Sequence, residues 1–155
     1  MSDKERYNIL LNKAMAYCAG KESCLTDTGH KLASWGADDH EIEKILNHLV
    51  KEKFIDEERY ATAFVKDKFR QNKWGKVKIA VVLRMKKIGD ETISKAMDSI
   101  DEAEYLDLLK SIVEKQRKTV KAKNQYELKG KLLRHCLSKG FESHLLYDIL
   151  NEPEE

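Results

Sequence analysis

The sequence predicts an all-helical protein built as an array of three tandem helical units, and three observations carry that reading. Apolar residues recur at the i, i+3, i+4, i+7 spacing of one helix face along most of the chain, with no persuasive period-two strand. One proline and seven glycines in 155 residues leave few of the turns that a β-sandwich or barrel needs. Three stretches also align without gaps: residues 35–46, 86–97 and 139–150, at offsets of 51 and 53. Each is the end of a basic helix, a tight turn with a small or apolar plug, and then an amphipathic helix. Upstream, Leu32, Leu83 and Cys136 share one slot. A unit of this size holds three short helices, too few to bury its own apolar faces well, so it gains by stacking on its neighbours.

Nine helices are expected. A first, over 3–19, is stopped by Gly20, and a second, over 25–35, by Gly36. Asp38 caps a third over 39–52, whose stripe is Ile42, Ile45, Leu46 and Leu49. Asp56 caps a fourth over 57–72, carrying Tyr60, Ala61, Phe64, Val65 and Phe69. After a basic elbow comes a fifth over 76–87, then a sixth over 91–100, started by Asp90 and striped by Ile93, Ala96, Met97 and Ile100. Leu106, Leu109, Ile112 and Val113 mark a seventh over 102–121. An eighth over 124–138 runs up to Gly140, and a ninth over 142–151 shows Leu146, Ile149 and Leu150. The units divide as 1–55, 56–105 and 106–155. Ile42, Leu46, Ile93, Met97, Leu146 and Leu150 are expected to be buried. In the middle unit the glycine stands at Gly89 rather than at position 87, so that turn is expected to differ in detail.

Composition narrows the class. Charged residues make up 36% of the chain, above a typical ~25%, which suits thin or elongated packing. No apolar run approaches the ~18 residues of a membrane span, and the opening MSDKERYNILL has no apolar secretory core. With three cysteines, Cys18, Cys24 and Cys136, a cytoplasmic chain with reduced thiols is expected. The net charge of +2 conceals segregation. Lys66 to Lys87 holds nine basic residues against Asp67, and Lys110 to Lys139 holds ten against Glu114 and Glu127. Asp90 to Asp107 and Asp38 to Glu58 are acidic. Two strongly basic blocks in a nearly neutral protein point to an anionic partner for at least one of them.

Catalytic and metal chemistry find no pattern. There is no CxxC, no HExxH and no phosphate-cradling glycine motif; Gly20-Lys21 and Gly75-Lys76 lack the rest of one. Paired carboxylates such as Asp38/Asp39 and Glu57/Glu58 fall at helix starts, where capping explains them. No enzyme, no cofactor and no metal is expected. The segment that stands out is the elbow Arg70-Gln71-Asn72-Lys73-Trp74-Gly75-Lys76-Val77-Lys78-Ile79. Trp74 serves either as a turn plug or as a contact. The lysines at the start of a helix oppose its macrodipole, a mismatch that a bound anion would relieve.

These residues also carry a resemblance. Phe54-Ile55-Asp56-Glu57-Glu58-Arg59-Tyr60-Ala61-Thr62-Ala63-Phe64-Val65 resembles the (F/L)(I/L)D(D/E)xR(Y/F)AxxFV signature of the RecX family of recombination regulators. Lys73-Trp74-Gly75-Lys76-Val77-Lys78-Ile79, with Leu83-Arg84-Met85-Lys86-Lys87-Ile88, is similar to its KxGxxxIxxxLxxKGI continuation. The resemblance covers roughly residues 7–150. It implies a cytoplasmic bacterial protein of three tandem three-helix repeats in an elongated, curved array, monomeric and without a membrane anchor. Its implied partner is the RecA recombinase filament, with single-stranded DNA contacted inside that filament, and its implied effect is to restrain RecA's ATPase, strand exchange and coprotease activity. Candidate contacts to RecA or DNA are Arg59, Arg70, Lys73, Lys76, Lys78, Arg84, Lys86 and Lys87. Phe54, Tyr60, Phe64 and Val65 read as core. The alternative is a stand-alone helix–turn–helix nucleic-acid-binding protein. Against it, the second helix of each aligned pair opens with acids (Asp38/Asp39, Asp90/Glu91, Glu142), which face phosphates poorly. A bare helical scaffold would leave the basic elbow unmotivated.

Overall fold

A computed structural model describes residues 1–151 as nine helices in three triplets, with no strand among them. The first triplet is α1 (Asp3–Gly20), α2 (Leu25–Ser34) and α3 (Asp39–Lys51). The second is α4 (Glu57–Arg70), α5 (Lys76–Met85) and α6 (Asp90–Met97). The third is α7 (Glu102–Thr119), α8 (Gln125–Ser138) and α9 (Ser143–Leu150). The accessible surface is 10004 Å², about a quarter above the ~8000 Å² of a compact monomer of this mass, as an array rather than a sphere requires.

Local chemistry accounts for the starts. Asp38 accepts from the Glu41 amide while the Glu41 side chain accepts from the Asp38 amide, a full capping box. That amide bond holds the Asp38 carboxyl below the usual aspartate range. Asp56, Asp101 and Asn124 cap α4, α7 and α8 by accepting from the Arg59, Glu104 and Glu127 amides.

The stops show the repeat most plainly. Gly36, Lys87 and Gly140 occupy one slot of the three aligned segments, and all three have positive φ (89°, 62° and 95°). Their amides donate to Ala33, Arg84 and Leu137 carbonyls, and the next residues, Ala37, Ile88 and Phe141, donate back to Leu32, Leu83 and Cys136. This is the Schellman stop, three times over. The expectation that the middle turn differs because its glycine has moved is therefore corrected. Lys87 takes the left-handed conformation itself, and Gly89 becomes the N-cap of α6. The stop also ends α5 at Met85, two residues before the expected end.

Burial follows the same register. Thr28, Ile79 and Leu132 share a slot and are all fully buried, as are Leu32, Leu83 and Cys136. Thr28 pairs its hydroxyl with that of Ser23 at 2.7 Å. Of the six expected core residues, Ile93, Leu146 and Leu150 are buried, whereas Ile42, Leu46 and Met97 are only half-buried. The α3 helix turns Ile45 and Leu49 inward instead, and Ile42 and Leu46 lie over Gly29 of α2, which has no side chain to cover them. The core itself is in two parts. Leu10, Ala14, Cys18, Leu32, Ile45, Leu49 and Ile55 form that of the first triplet. One continuous cluster serves the second and third, threaded by Phe69, Tyr105 and Phe141 with ring centroids 6.0 and 5.3 Å apart.

The second and third triplets meet backbone to backbone. The Gly75 amide donates to the Lys139 carbonyl at 2.8 Å and the Val77 amide to the Gly140 carbonyl at 2.9 Å. A Cβ on Gly75 would lie 2.3 Å from the Gly140 carbonyl carbon, and one on Gly140 would lie 2.2 Å from Lys78 Cβ. Gly36, by contrast, has nothing within 4 Å of such a Cβ. Gly36→Ala should therefore report the left-handed φ alone and cost about 1 kcal/mol in urea denaturation. Gly75→Ala, at an ordinary φ of −77°, should cost about 3 kcal/mol or more through the clash alone. Equal midpoints for the two variants would show that the triplets do not touch in this way.

Candidate partner-binding surface

The elbow between α4 and α5 is shaped by the joint just described. The α5 helix has no side-chain N-cap, and its basic first turn still opposes the macrodipole. The missing acceptors come from the third triplet. Besides the Gly75 and Val77 bonds, the Lys76 amide donates to Tyr105 Oη at 2.9 Å, and that hydroxyl in turn donates to the Glu142 carboxylate. Burial, then the bond to Glu142, pushes the Tyr105 hydroxyl well above its ordinary pKa, so it stays a donor. The Lys76 ammonium pairs with Glu102 at 2.5 Å and sits 4.7 Å from the centre of the Tyr105 ring. The anion that the macrodipole mismatch called for is thus met within the chain, by Glu102 and Glu142.

The eight candidate cations separate into two kinds of place. Arg59 faces the first triplet: its Nε donates to both Glu22 oxygens at 2.8 and 2.6 Å, and its guanidinium also reaches the Lys53 carbonyl. Lys86 does likewise, pairing with Asp27 at 2.7 Å while its carbonyl accepts from the Thr26 hydroxyl. Lys76 belongs to the joint with the third triplet. Of the remaining five, Arg70, Lys73, Arg84 and Lys87 are exposed and Lys78 is half-buried. Arg84 pairs with Asp90 at 3.1 Å, both largely exposed, an arrangement that contributes little to folding. Lys78 lies 4.5 Å from the Trp74 ring centre. Arg70, Lys73 and Lys87 have no ion-pair partner among the described residues.

Trp74 gathers the elbow end of this surface. Half-buried, it packs on the core shared by the second and third triplets and carries Lys68 and Lys78 against its ring at 5.3 and 4.5 Å. It is therefore a plug that also positions cations, with Arg70 and Lys73 beside it in sequence. Arg84 and Lys87 stand at the far end of α5, about 15 Å along the helix. Two contributors stand outside the eight candidate contacts. Lys68 lies among the hydrophobic residues of α4, and Lys139 reaches from the third triplet to the Asn72 carbonyl at 3.5 Å. Lys139 occupies the slot of Lys86 in the aligned segments, and that equivalence is the signal by which it could have been found. The second basic block is partly used in folding: Lys131 pairs with Glu127 at 3.0 Å and donates to the Lys121 carbonyl.

The chain's other reactive groups are quiet. All three cysteines are buried and free, and burial raises each thiol pKa, to about 11 for Cys136. Among the described residues no group of three His, Cys, Asp or Glu is placed to hold a metal ion, and no helix is long and apolar enough to cross a membrane.

Comparison with known proteins places this geometry among relatives. Residues 56–97 match the family model for the second three-helix domain of RecX, and residues 102–150 match that for its third. "Regulatory protein RecX" of Clostridium botulinum (strain Alaska E43 / Type E3) is 32% identical, over 97% of this chain and 75% of the relative. The protein of the same name from Prosthecochloris aestuarii is 28% identical over 98% and 97%, and that from Clostridium beijerinckii 30% identical over 74% and 54%. The match thus spans only about half of several clostridial relatives. A crystal structure of RecX from Lactobacillus salivarius superposes with a TM-score of 0.81 at 20% identity, covering 95% of this chain and 96% of the other, so the fold is shared.

Tyr105 is the testable centre of the joint. Replacing it by phenylalanine keeps the ring stack but removes both hydrogen bonds, leaving the Lys76 amide and the Glu142 carboxylate short of a partner. Tyr105→Phe should lower stability by about 1–3 kcal/mol in urea denaturation. A midpoint matching that of the parent would mean that water replaces the hydroxyl without loss.

Proposed function

Because the chain belongs to the RecX family of regulatory proteins, we propose that it binds the RecA recombinase filament in the cytoplasm and restrains its ATPase, strand exchange and coprotease activity. The observation that supports this reading is the outward set Arg70, Lys73, Lys78, Arg84 and Lys87, left over after Arg59, Lys76 and Lys86 have been drawn into the joints between triplets. Arg70, Lys73 and Lys87 make no ion pair among the described residues, Arg84 makes only an exposed one with Asp90, and Lys78 rests on Trp74 without a carboxylate. Their charges are available to carboxylates of a protein surface or to phosphates of the DNA inside a filament. An elongated array offers such a partner a long contact. The chain acts as a monomer and by occupancy rather than by catalysis. Stand-alone helix–turn–helix binding to DNA is disfavoured, since α3 and α6 open with Asp39 and Glu41, and with Asp90 and Glu91.

The test reverses only outward residues. Arg70→Glu, Lys73→Glu and Lys87→Glu together should leave thermal stability within about 0.5 kcal/mol of the parent, because exposed charges of this kind contribute little to folding. Co-sedimentation with RecA filaments and inhibition of RecA's ATPase should both weaken, most at low salt. Lys76→Glu should instead destabilise the chain, since it replaces the cation paired with Glu102 by a third carboxylate beside Glu102 and Glu142. Unchanged filament binding by the triple variant at low salt would remove the elbow from the interface.

A further inference from the structure

The three triplets act as internal controls for one another, and one feature of the middle copy is not required by the fold. Val77, Val81 and Met85 fall at i, i+4 and i+8 on the outer face of α5, 49%, 47% and 73% exposed. The same slots hold Thr26, His30 and Ser34 in α2 and Gly130, Arg134 and Ser138 in α8. The register is secured by the buried slots between them, Thr28/Ile79/Leu132 and Leu32/Leu83/Cys136, and by the shared positive-φ stop. Two copies thus build the same helix in the same place with polar or small residues in these slots, Thr26 and Gly130 half-buried and His30, Ser34, Arg134 and Ser138 exposed. Only the middle helix presents an apolar ridge to water, and burying it elsewhere is the gain open to it.

The surroundings indicate what covers it. Lys73 and Lys78 lie at the start of the ridge and Lys87 just past its end, none of them paired with a carboxylate among the described residues. On the α6 side the rim is Arg84 with Asp90, and then Asp98. Nucleic acid fits this poorly, because phosphates gain nothing from valine and methionine and are repelled by Asp90 and Asp98. A protein surface with an apolar centre fits the ridge, provided that its carboxylates lie toward Lys73, Lys78 and Lys87 and not toward Asp90 and Asp98.

We propose that the outer face of α5 is a protein-docking ridge, in which Val77, Val81 and Met85 bury against an apolar patch while Lys73, Lys78 and Lys87 pair with carboxylates around that patch. Resting on the RecA reading above, the inference assigns this ridge to the protein of the filament and not to its DNA. The contact is apolar at the centre, so its contribution survives salt that screens the lysines.

The experiment transplants the α2 residues into α5: Val77→Thr, Val81→His and Met85→Ser, with Met85→Glu as a single-site companion at the most exposed position. Both variants and the parent are measured for co-sedimentation with RecA filaments at low and high salt, and for binding to a bare single-stranded oligonucleotide. Filament binding should weaken about tenfold or more at both salts, while binding to the bare oligonucleotide stays as in the parent. Parent-like filament binding by both variants overturns the ridge and leaves the RecA reading standing. Parallel loss of bare-oligonucleotide binding overturns the assignment to protein. A parent chain that fails to bind filaments at all overturns the RecA reading and the inference together.

Discussion

The backbone of residues 75–77 lies against that of residues 139–141 too closely for a side chain at Gly75 or Gly140, and much of the molecule is arranged around that contact. Gly75 and Gly140 are fixed by it, the first by proximity alone and the second by proximity and a left-handed φ. So is the absence of a side-chain cap on α5, since the carbonyls of Lys139 and Gly140 and the hydroxyl of Tyr105 take the place of one. The acidic residues that flank the joint, Glu102 and Glu142, answer both the basic first turn of α5 and its exposed macrodipole. With the backbones this close, Phe69, Tyr105 and Phe141 stack into one core that spans two triplets.

The first and second triplets meet at the corresponding place by different chemistry. Cys24 stands in the slot of Gly75 and Thr26 in that of Val77, so side chains rather than backbone face the turn of the next unit. Thr26 donates its hydroxyl to the Lys86 carbonyl, Asp27 holds the Lys86 ammonium, and Glu22 holds Arg59. The cost of the extra bulk is continuity: the first triplet keeps a core of its own, with Cys24 alone of its residues joining the larger cluster. One docking geometry, the start of a second helix set on the stop of the following unit, is thus realised once through amides and once through hydroxyl and ion pair.

The fold was legible because its signals are local. Helical spacing, the caps Asp38 and Asp56 and the glycine stops placed the nine helices to within a few residues, with Gly89 rather than Asp90 capping α6, and the gapless register revealed the triplets. The turn at Lys87 was misread because sequence shows which residues tolerate a left-handed backbone, not which are forced into it by the Leu83 and Arg84 carbonyls. The split among the basic residues was hidden for a different reason. Lys73, Lys76 and Lys86 belong to one continuous run of charge, and only the placement of Glu102 and Asp27, 26 and 59 positions away, distinguishes a joint residue from a surface one. The half-burial of Ile42 and Leu46 likewise depends on Gly29, a residue of another helix.

What the two joints share is α5. Its first turn is fastened to the third triplet through Gly75, Lys76 and Val77, and the stop after its last turn is fastened to the first triplet through Lys86. A helix of ten residues held at both ends by separate units has little freedom left to lose when a partner covers its outer face. The buried edge, Ile79 and Leu83, belongs to the core, and the opposite edge carries Val77, Val81 and Met85 between the cationic elbow and Lys87. The residues that make the array cohere therefore also hold Val77, Val81 and Met85 in a fixed orientation, the preorganisation that lowers the ordering cost of a contact made there.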